Sequence, residues 1–224
     1  MDGDKDILIG AGGNEVGVDQ INYIVRLYIN DGNGNFTVDP NHIPPVVGNF
    51  STLEVSDFDQ DGDPDFFLGA RAVVGNYGLT PKSYLFQNEK GSWLNIASKE
   101  LTNLGMVTDA IWEDTDSDGD MDLIVVGDWM SIKIFTNQKG KLSEPISIPN
   151  STGWWQRIES KDMDGDGDMD FILGNWGLNT KFQTSIDMPI DMQIEDFDGN
   201  GKTEFIINWK APGNNELYPF ASKM

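Results

Sequence analysis

The sequence predicts an all-β protein built from repeated units of four antiparallel strands, and three observations predict it. An acidic nine-residue stretch recurs in register along the chain, a short apolar run follows each copy, and a hairpin pattern recurs between copies.

The first complete acidic stretch is Asp57-Phe-Asp59-Gln-Asp61-Gly62-Asp63-Pro-Asp65. Downstream come Asp114-Thr-Asp116-Ser-Asp118-Gly-Asp120-Met-Asp122, Asp162-Met-Asp164-Gly-Asp166-Gly-Asp168-Met-Asp170 and Asp196-Phe-Asp198-Gly-Asn200-Gly-Lys202-Thr-Glu204. A fifth copy is cut by the start of the chain, leaving Asp2, Asp4 and Asp6. Alternating carboxylates on a tight loop turn successive oxygens inward onto one cation, and hard oxygen donors are what Ca²⁺ takes. The glycine at the sixth position permits the left-handed backbone that folds the loop back. An EF-hand would need Glu at the twelfth position, and that position holds Leu68, Val125, Leu173 and Ile207. The ninth residue is therefore the last ligand. The expected ligand sets are Asp57, Asp59, Asp61, Asp65; Asp114, Asp116, Asp118, Asp122; Asp162, Asp164, Asp166, Asp170; and Asp196, Asp198, Asn200, Glu204. Asp63, Asp120, Asp168 and Lys202 would offer backbone carbonyls. Four complete Ca²⁺ sites and one truncated site are expected.

Directly after each loop come Phe66-Phe-Leu68, Leu123-Ile-Val-Val126, Phe171-Ile-Leu173, Phe205-Ile-Ile207 and Ile7-Leu-Ile9. Their length and β-branched or aromatic content predict strands buried on both faces. Ahead of the loops, Leu53 and Val55, Ala110 and Trp112, and Met192 and Ile194 alternate as in a half-buried strand; the third copy has Ile158 but Ser160. The hairpins are Leu27–Asn30 with Phe36, Leu85–Asn88 with Trp93, and Ile134–Asn137 with Leu142, each pair separated by a polar turn containing Gly. Strand, acidic loop, strand and hairpin make four antiparallel strands. Such a unit cannot bury its faces alone, so the units stack as β-propeller blades.

The expected division is a blade remnant at 1–40, blades at about 46–100, 105–149 and 154–187, and the start of another over 188–224. About four blades are a segment of a larger propeller. Gly75-Asn76-Tyr77-Gly78-Leu79 and Gly174-Asn175-Trp176-Gly177-Leu178 echo one another and are read as excursions at the blade rim.

The formal net charge of −22 argues against nucleic acid and anionic membranes as partners. No apolar run reaches the roughly 20 residues of a membrane span, so no membrane insertion is expected. The absence of cysteine removes disulfides, thiol nucleophiles and Cys-ligated zinc. Calcium loops fill where calcium is plentiful, which points outside the cytoplasm.

The loop running into an apolar strand and then Gly-Ala or Gly-Asn (Ile7–Ala11, Phe66–Ala70, Phe171–Asn175) resembles the FG-GAP/VCBS repeat, which builds the integrin α-chain propeller and many bacterial surface proteins. Gly153-Trp154-Trp155 through Asn208, with Asn175-Trp-Gly-Leu-Asn179, is most similar to bacterial exported proteins related to cartilage acidic protein that carry ASPIC/UnbV-type domains. The resemblance implies a calcium-binding propeller, extracellular or at the cell surface, serving adhesion, sugar binding or occasionally catalysis.

No catalytic constellation emerges. The single histidine, His42, sits in the Pro-rich stretch 40–45, and Asp109, Glu113, Asp128 and Glu159 fall in no motif. Among seven tryptophans, Trp129 and one of the adjacent pair Trp154-Trp155 are candidates for ring stacking on sugars, with Trp155 taken together with Trp129 as the pair to test; packing is the expectation for each. The expected function is a calcium-binding extracellular scaffold for adhesion or for protein or ligand binding. The alternative is a carbohydrate-binding propeller, either a lectin or an accessory module of a polysaccharide-degrading enzyme. Expected partners are a protein or glycan outside the cell and the remaining blades of a longer chain.

Overall fold

The structure, a computed structural model, describes residues 3–13, 23–41, 43–176, 184–210, 213 and 216–219. Asp2, His42 and the stretch 177–183 lie outside the described residues.

Strands β1 (Ile7–Ile9), β2 (Arg26–Asn30) and β3 (Phe36–Asp39) form one antiparallel sheet. Strands β4 (Asn49–Ser56), β5 (Asp65–Ala72), β6 (Tyr84–Glu89) and β7 (Ser92–Asn95) form a complete four-stranded sheet. A single helical turn, α1 (Lys99–Thr102), follows; Ser98 caps it by accepting the Leu101 N–H. Strands β8 (Met106–Glu113), β9 (Asp122–Met130), β10 (Lys133–Phe135) and β11 (Ile146–Ser147) repeat the arrangement. Strands β12 (Gly153–Lys161) and β13 (Asp170–Asn175) pair with each other, and Gly153 and Trp154 of β12 also pair with the end of β9. Strands β14 (Asp191–Glu195), β15 (Glu204–Lys210) and β16 (Leu217–Pro219) form the last sheet. Every strand pairing is antiparallel, and all but that of β9 with β12 join consecutive strands, so the fold is all-β. Every complete acidic stretch joins a strand to its next partner: β4 to β5, β8 to β9, β12 to β13 and β14 to β15.

Side-chain alternation turns these sheets into stacked layers. In β5, Phe67 faces one way and packs with Val107, Trp112, Leu123 and Val125 of the following sheet. Its neighbours Phe66 and Leu68 face the other way and pack with Val25, Ile43 and Phe86. Strand β9 does the same: Leu123 and Val125 join the first cluster, while Ile124 and Val126 meet Ile158 of β12. Phe66, Phe67, Leu68, Leu123, Val125 and Val126 are fully enclosed. Each such side chain contributes roughly 1.5–3 kcal/mol through apolar burial.

The first strands of successive sheets also lock together through polar groups. Ser51 donates to the Val107 carbonyl (2.6 Å), and Thr108 donates likewise to the Trp155 carbonyl (2.6 Å). Asp109 accepts from the Thr52 hydroxyl and from the Ile158 N–H.

Several expectations need correction. Val55 shares a face with Leu53, which packs on the core, but is itself 56% exposed. The side of β4 turned toward β8 carries Thr52 and Glu54, and the Trp112 indole donates to the Glu54 carbonyl. Strands β1, β13 and β15 follow acidic loops as expected but are not sealed on both faces: Ile7 is 42% exposed, Ile172 48% and Phe205 46%. The third hairpin resumes as a strand only at Ile146, with a lone bridge between Asn137 and Leu142. Pro145 lies in the gap and has no N–H to give the ladder. The excursion at 75–79 is not confined to the rim. Asn76 accepts from the Thr203 N–H and hydroxyl (3.1 Å each), and Tyr77 packs on Phe205 at 5.1 Å, so it meets the last sheet.

Candidate metal centre

Each acidic stretch closes on itself with the same internal hydrogen bonds. The first carboxylate accepts from the glycine N–H at the sixth position: Asp57 from Gly62 (3.1 Å), Asp114 from Gly119 (3.0 Å), Asp162 from Gly167 (3.2 Å) and Asp196 from Gly201 (2.8 Å). The third residue accepts from the fifth: Asp59 from Asp61, Asp116 from Asp118, Asp164 from Asp166 and Asp198 from Asn200. The fifth accepts from the seventh, Asp61 from Asp63, Asp118 from Asp120, Asp166 from Asp168 and Asn200 from Lys202. The ninth reaches back to the second residue, as Asp65 does to Phe58, Asp122 to Thr115, Asp170 to Met163 and Glu204 to Phe197. These are Asx-type turns, in which a short side chain replaces a backbone acceptor. The backbone enters the left-handed region at the sixth residue (Gly62 +94°, Gly119 +92°, Gly167 +99°, Gly201 +85°) and also at the fourth, where Gln60 (+60°) and Ser117 (+62°) adopt it without being glycine.

This wrapping leaves carboxylate oxygens converging. The sets Asp57, Asp59, Asp61; Asp114, Asp116, Asp122; Asp162, Asp164, Asp170; and Asp196, Asp198, Glu204 each place their ligand oxygens within 4.8 Å of one another. An ion coordinated at about 2.3–2.6 Å spans up to about 5 Å between opposite ligands, so these separations fit Ca²⁺. All the donors are oxygens, which suits a hard cation. The carboxylates resist one another meanwhile: desolvation and the neighbouring Asp118, Asp122 and Asp114 push Asp116 above the usual carboxylate range. Asp168 is raised by its hydrogen bond with Asp166 and by that neighbour's charge, while Asp166 is lowered by accepting from Asp168.

The first loop differs from the others. Asp65 stands outside its converging set and is completely enclosed. Its Oδ1 accepts from the Asn88 N–H (2.8 Å), and burial pushes its pKa up to about 6 against the pull of that bond. The same clasp links Asp122 to the Asn137 N–H (2.7 Å) and Asp6 to the Asn30 N–H (2.9 Å). The asparagines answer by donating to the carbonyl just ahead of the aspartate: Asn88 to Pro64, Asn137 to Met121 and Asn30 to Lys5. The ninth carboxylate thus ties the acidic loop to the outer hairpin. This role for Asn30, Asn88 and Asn137 was readable in the hairpin repeat, where the residues recur at matching positions, but the loop alone does not reveal it.

Side chains at the seventh position face the same hairpins. Asp63 accepts from the Lys90 N–H and Asp120 from the Lys139 N–H. In the copy at residues 2–6, Asp4 lies against Gly32, where an added Cβ would come 2.7 Å from its carboxylate. Neighbouring loops touch as well. Gln60 donates to Gly119 and Asp120 of the second loop, and Asn137 donates to the Phe58 carbonyl.

The sequence pattern of the FG-GAP-like repeat family matches residues 1–68 and 114–173, more than half of the chain. The chain belongs to the FG-GAP-like repeat family. Comparison with curated proteins finds no match. FG-GAP-like repeats are in general a scaffold type rather than a catalytic one. The carboxylates outside the loops have partners of their own. Asp109 is held by Thr52, Ile158 N–H and Arg157 (3.6 Å), Asp128 by Arg71 (3.0 Å), Glu113 by Ser160 and Glu159 by Arg157. Burial raises the pKa of Glu54, with Asp109 adding to the effect. No helix among the described residues is long and apolar enough to cross a membrane.

Proposed function

We propose that this chain is a calcium-stabilised segment of β-propeller acting outside the cell as a scaffold for adhesion or ligand binding. The observation that carries the reading is the convergence of three acidic oxygens in each of four identically wrapped loops. The ions would be held by Asp57, Asp59, Asp61 and Asp65; by Asp114, Asp116, Asp118 and Asp122; by Asp162, Asp164, Asp166 and Asp170; and by Asp196, Asp198, Asn200 and Glu204. Carbonyls of Asp63, Asp120, Asp168 and Lys202 would complete them, and Asp4 and Asp6 would belong to a further site with Asp2. Bound cation would neutralise crowded carboxylates at the bend between two strands and so set the blade geometry. We read the units as 1–40, 46–100, 105–149, 154–187 and 188–224, packing against further blades of a longer chain. The relation to exported proteins akin to cartilage acidic protein belongs to the same proposal and is supported by Gly153-Trp-Trp155 and Asn175-Trp176.

The test is thermal unfolding with and without chelator. At a free calcium concentration of 100 times Kd, one site contributes about 2.7 kcal/mol, so chelation should lower Tm by at least about 5 °C. An unmoved Tm together with a flat calcium calorimetric titration would sink the proposal. The second reading, a carbohydrate-binding propeller, is favoured by a separate feature, an aromatic hollow remote from the acidic loops.

A further inference from the structure

Strands β9 and β13 each start at the last residue of an acidic loop and run to the opposite end of their sheets. There β9 ends at Trp129-Met130 and β13 ends at Asn175, followed by Trp176. Antiparallel pairing brings the start of β12, Gly153-Trp154, to the same end. Together with Thr184, Ser185, Ile186, Pro189 and Ile190 these groups line a hollow of about 430 Å³, a volume within the range of small-molecule sites.

Resting on the binding-scaffold reading above, we propose that this hollow binds a neutral carbohydrate, with Trp176 as the stacking platform and Asn175 as a hydrogen-bond donor. The three indoles are ordered by one another. Trp154 and Trp176 stack at 4.6 Å and 22°, and Trp129 meets Trp154 edge-on at 4.8 Å and 77°. One face of Trp176 is thus spent on Trp154, while the residue remains 54% exposed. An open indole face carries the negative side of the ring quadrupole, which attracts the C–H bonds on a pyranose face.

The polar groups are equally placed. Asn175 Oδ1 accepts from the Trp154 N–H (3.2 Å), which orients the amide and turns Nδ2 away as a donor. Gly153 keeps that nitrogen clear, since an added Cβ would lie 3.0 Å from it. Asn150, Thr152, Thr184 and Ser185 supply further uncharged donors and acceptors. Trp129 holds a left-handed backbone (φ +61°), and its indole N–H donates to the Tyr77 hydroxyl at 3.2 Å. Such a conformation at a bulky residue is strained and accumulates at ligand sites.

Charge points to the ligand class. Among the described residues the lining of the hollow carries no charged side chain, on a chain of net charge −22. Anionic sugars would approach against that field. Ammonium ligands would be drawn by it, yet a cation cage needs ring faces aimed at one point. Here two of the three rings are stacked on each other, so the geometry suits a flat neutral ring instead.

The experiment is calorimetric titration of the calcium-loaded chain with glucose, galactose, mannose, N-acetylglucosamine and their β-1,4-linked disaccharides. Galacturonate and choline serve as charged comparators. At least one neutral sugar should bind saturably and more tightly than either comparator. Trp176→Ala should weaken it about tenfold while the chain stays folded, Asn175→Ala should weaken it too, and Trp209→Phe should leave it unchanged. The proposal is overturned if no neutral sugar binds, if a charged comparator binds more tightly, or if folded Trp176→Ala binds as well as the parent. A flat sugar titration beside a chelator-sensitive Tm removes only this site. Sugar binding with a chelator-insensitive Tm removes the calcium reading and leaves the site standing.

The structure also corrects the expectation for the adjacent pair. Trp154 faces the hollow, whereas the Trp155 indole donates to the Ser151 carbonyl (2.7 Å) and packs beside Ile158.

Discussion

The strands β5 and β15 follow acidic loops with the same hydrogen bonds, yet they live in different surroundings. Phe66, Phe67 and Leu68 are wholly enclosed, whereas Phe205 is 46% and Ile206 39% exposed. The loop is closed by contacts spanning only nine residues, so it forms wherever its text occurs. Burial is conferred by neighbouring sheets, and β5 has one on each side. Loop chemistry and core stability are therefore separable along this chain.

The largest expected effect follows from that separation. Phe67→Ala should cost about 3–5 kcal/mol by opening a cavity between two sheets, while Ile206→Ala should cost less than about 1 kcal/mol. Urea midpoints of the two variants measure the contrast, and equal losses would break it.

Glycines sharpen the same point on a smaller scale. At Gly140 (φ +80°) an added Cβ would lie 2.5 Å from the Asp59 Cβ, whereas Gly165 (φ +82°) faces open space. Gly140→Ala should destabilise by about 1–3 kcal/mol and remove one calcium equivalent, because it displaces a ligand of the first loop. Gly165→Ala should cost about 1 kcal/mol at most, since Gln60 and Ser117 already occupy the matching position. Calcium stoichiometry by calorimetry reads the difference; a lost equivalent in Gly165→Ala alone would reverse the argument.

Asp65 predicts a pH signature confined to the enclosed blade. Its pKa is raised to about 6 by burial, from an ordinary value near 3.9, so the folded state favours the protonated form. In chelator that contribution is fully present below the ordinary value and is lost as pH rises toward 6. Tm between pH 4 and 7 should fall along this portion of the curve in the parent, and Asp65→Asn should remove that part of the slope. Saturating calcium should reverse the trend, because the ion favours the carboxylate. A slope identical in both proteins would refute the assignment.

The smallest expected effect compares the loops themselves. The fourth has Asn200 where the others have a carboxylate, and Lys202 stands beside it. It should bind calcium most weakly, by about tenfold. Calorimetry of Asp57→Ala, Asp114→Ala, Asp162→Ala and Asp196→Ala should show the weakest step vanish only in the last, and finding the fourth loop tightest would count against the ligand assignment.

Much of the acidic loops was legible beforehand because their bonds connect residues two, five and seven positions apart. The hairpin asparagines were visible as a repeat, but their bonds to Asp6, Asp65 and Asp122 cross 15 to 24 residues, and nothing local announces such a distance. Val55 departs from the expectation because alternation gives β4 two faces without saying which one, here that of Thr52, meets Asp109 and Trp112. Trp154 and Trp155 posed the same problem, since one residue of register exchanges the ring that packs for the ring that lines the hollow.

By itself the amino-acid order determined the all-β class, the positions of the acidic bends and the strands that leave them, because each depends on side chains reaching their own backbone. The enclosure of β5 and β9, the reach of Asn76 and Tyr77 to the last sheet, and the gathering of Trp129, Trp154 and Trp176 were decided only by tertiary structure. Those features depend on which faces of distant strands exclude water together, and no interval of sequence encodes that distance.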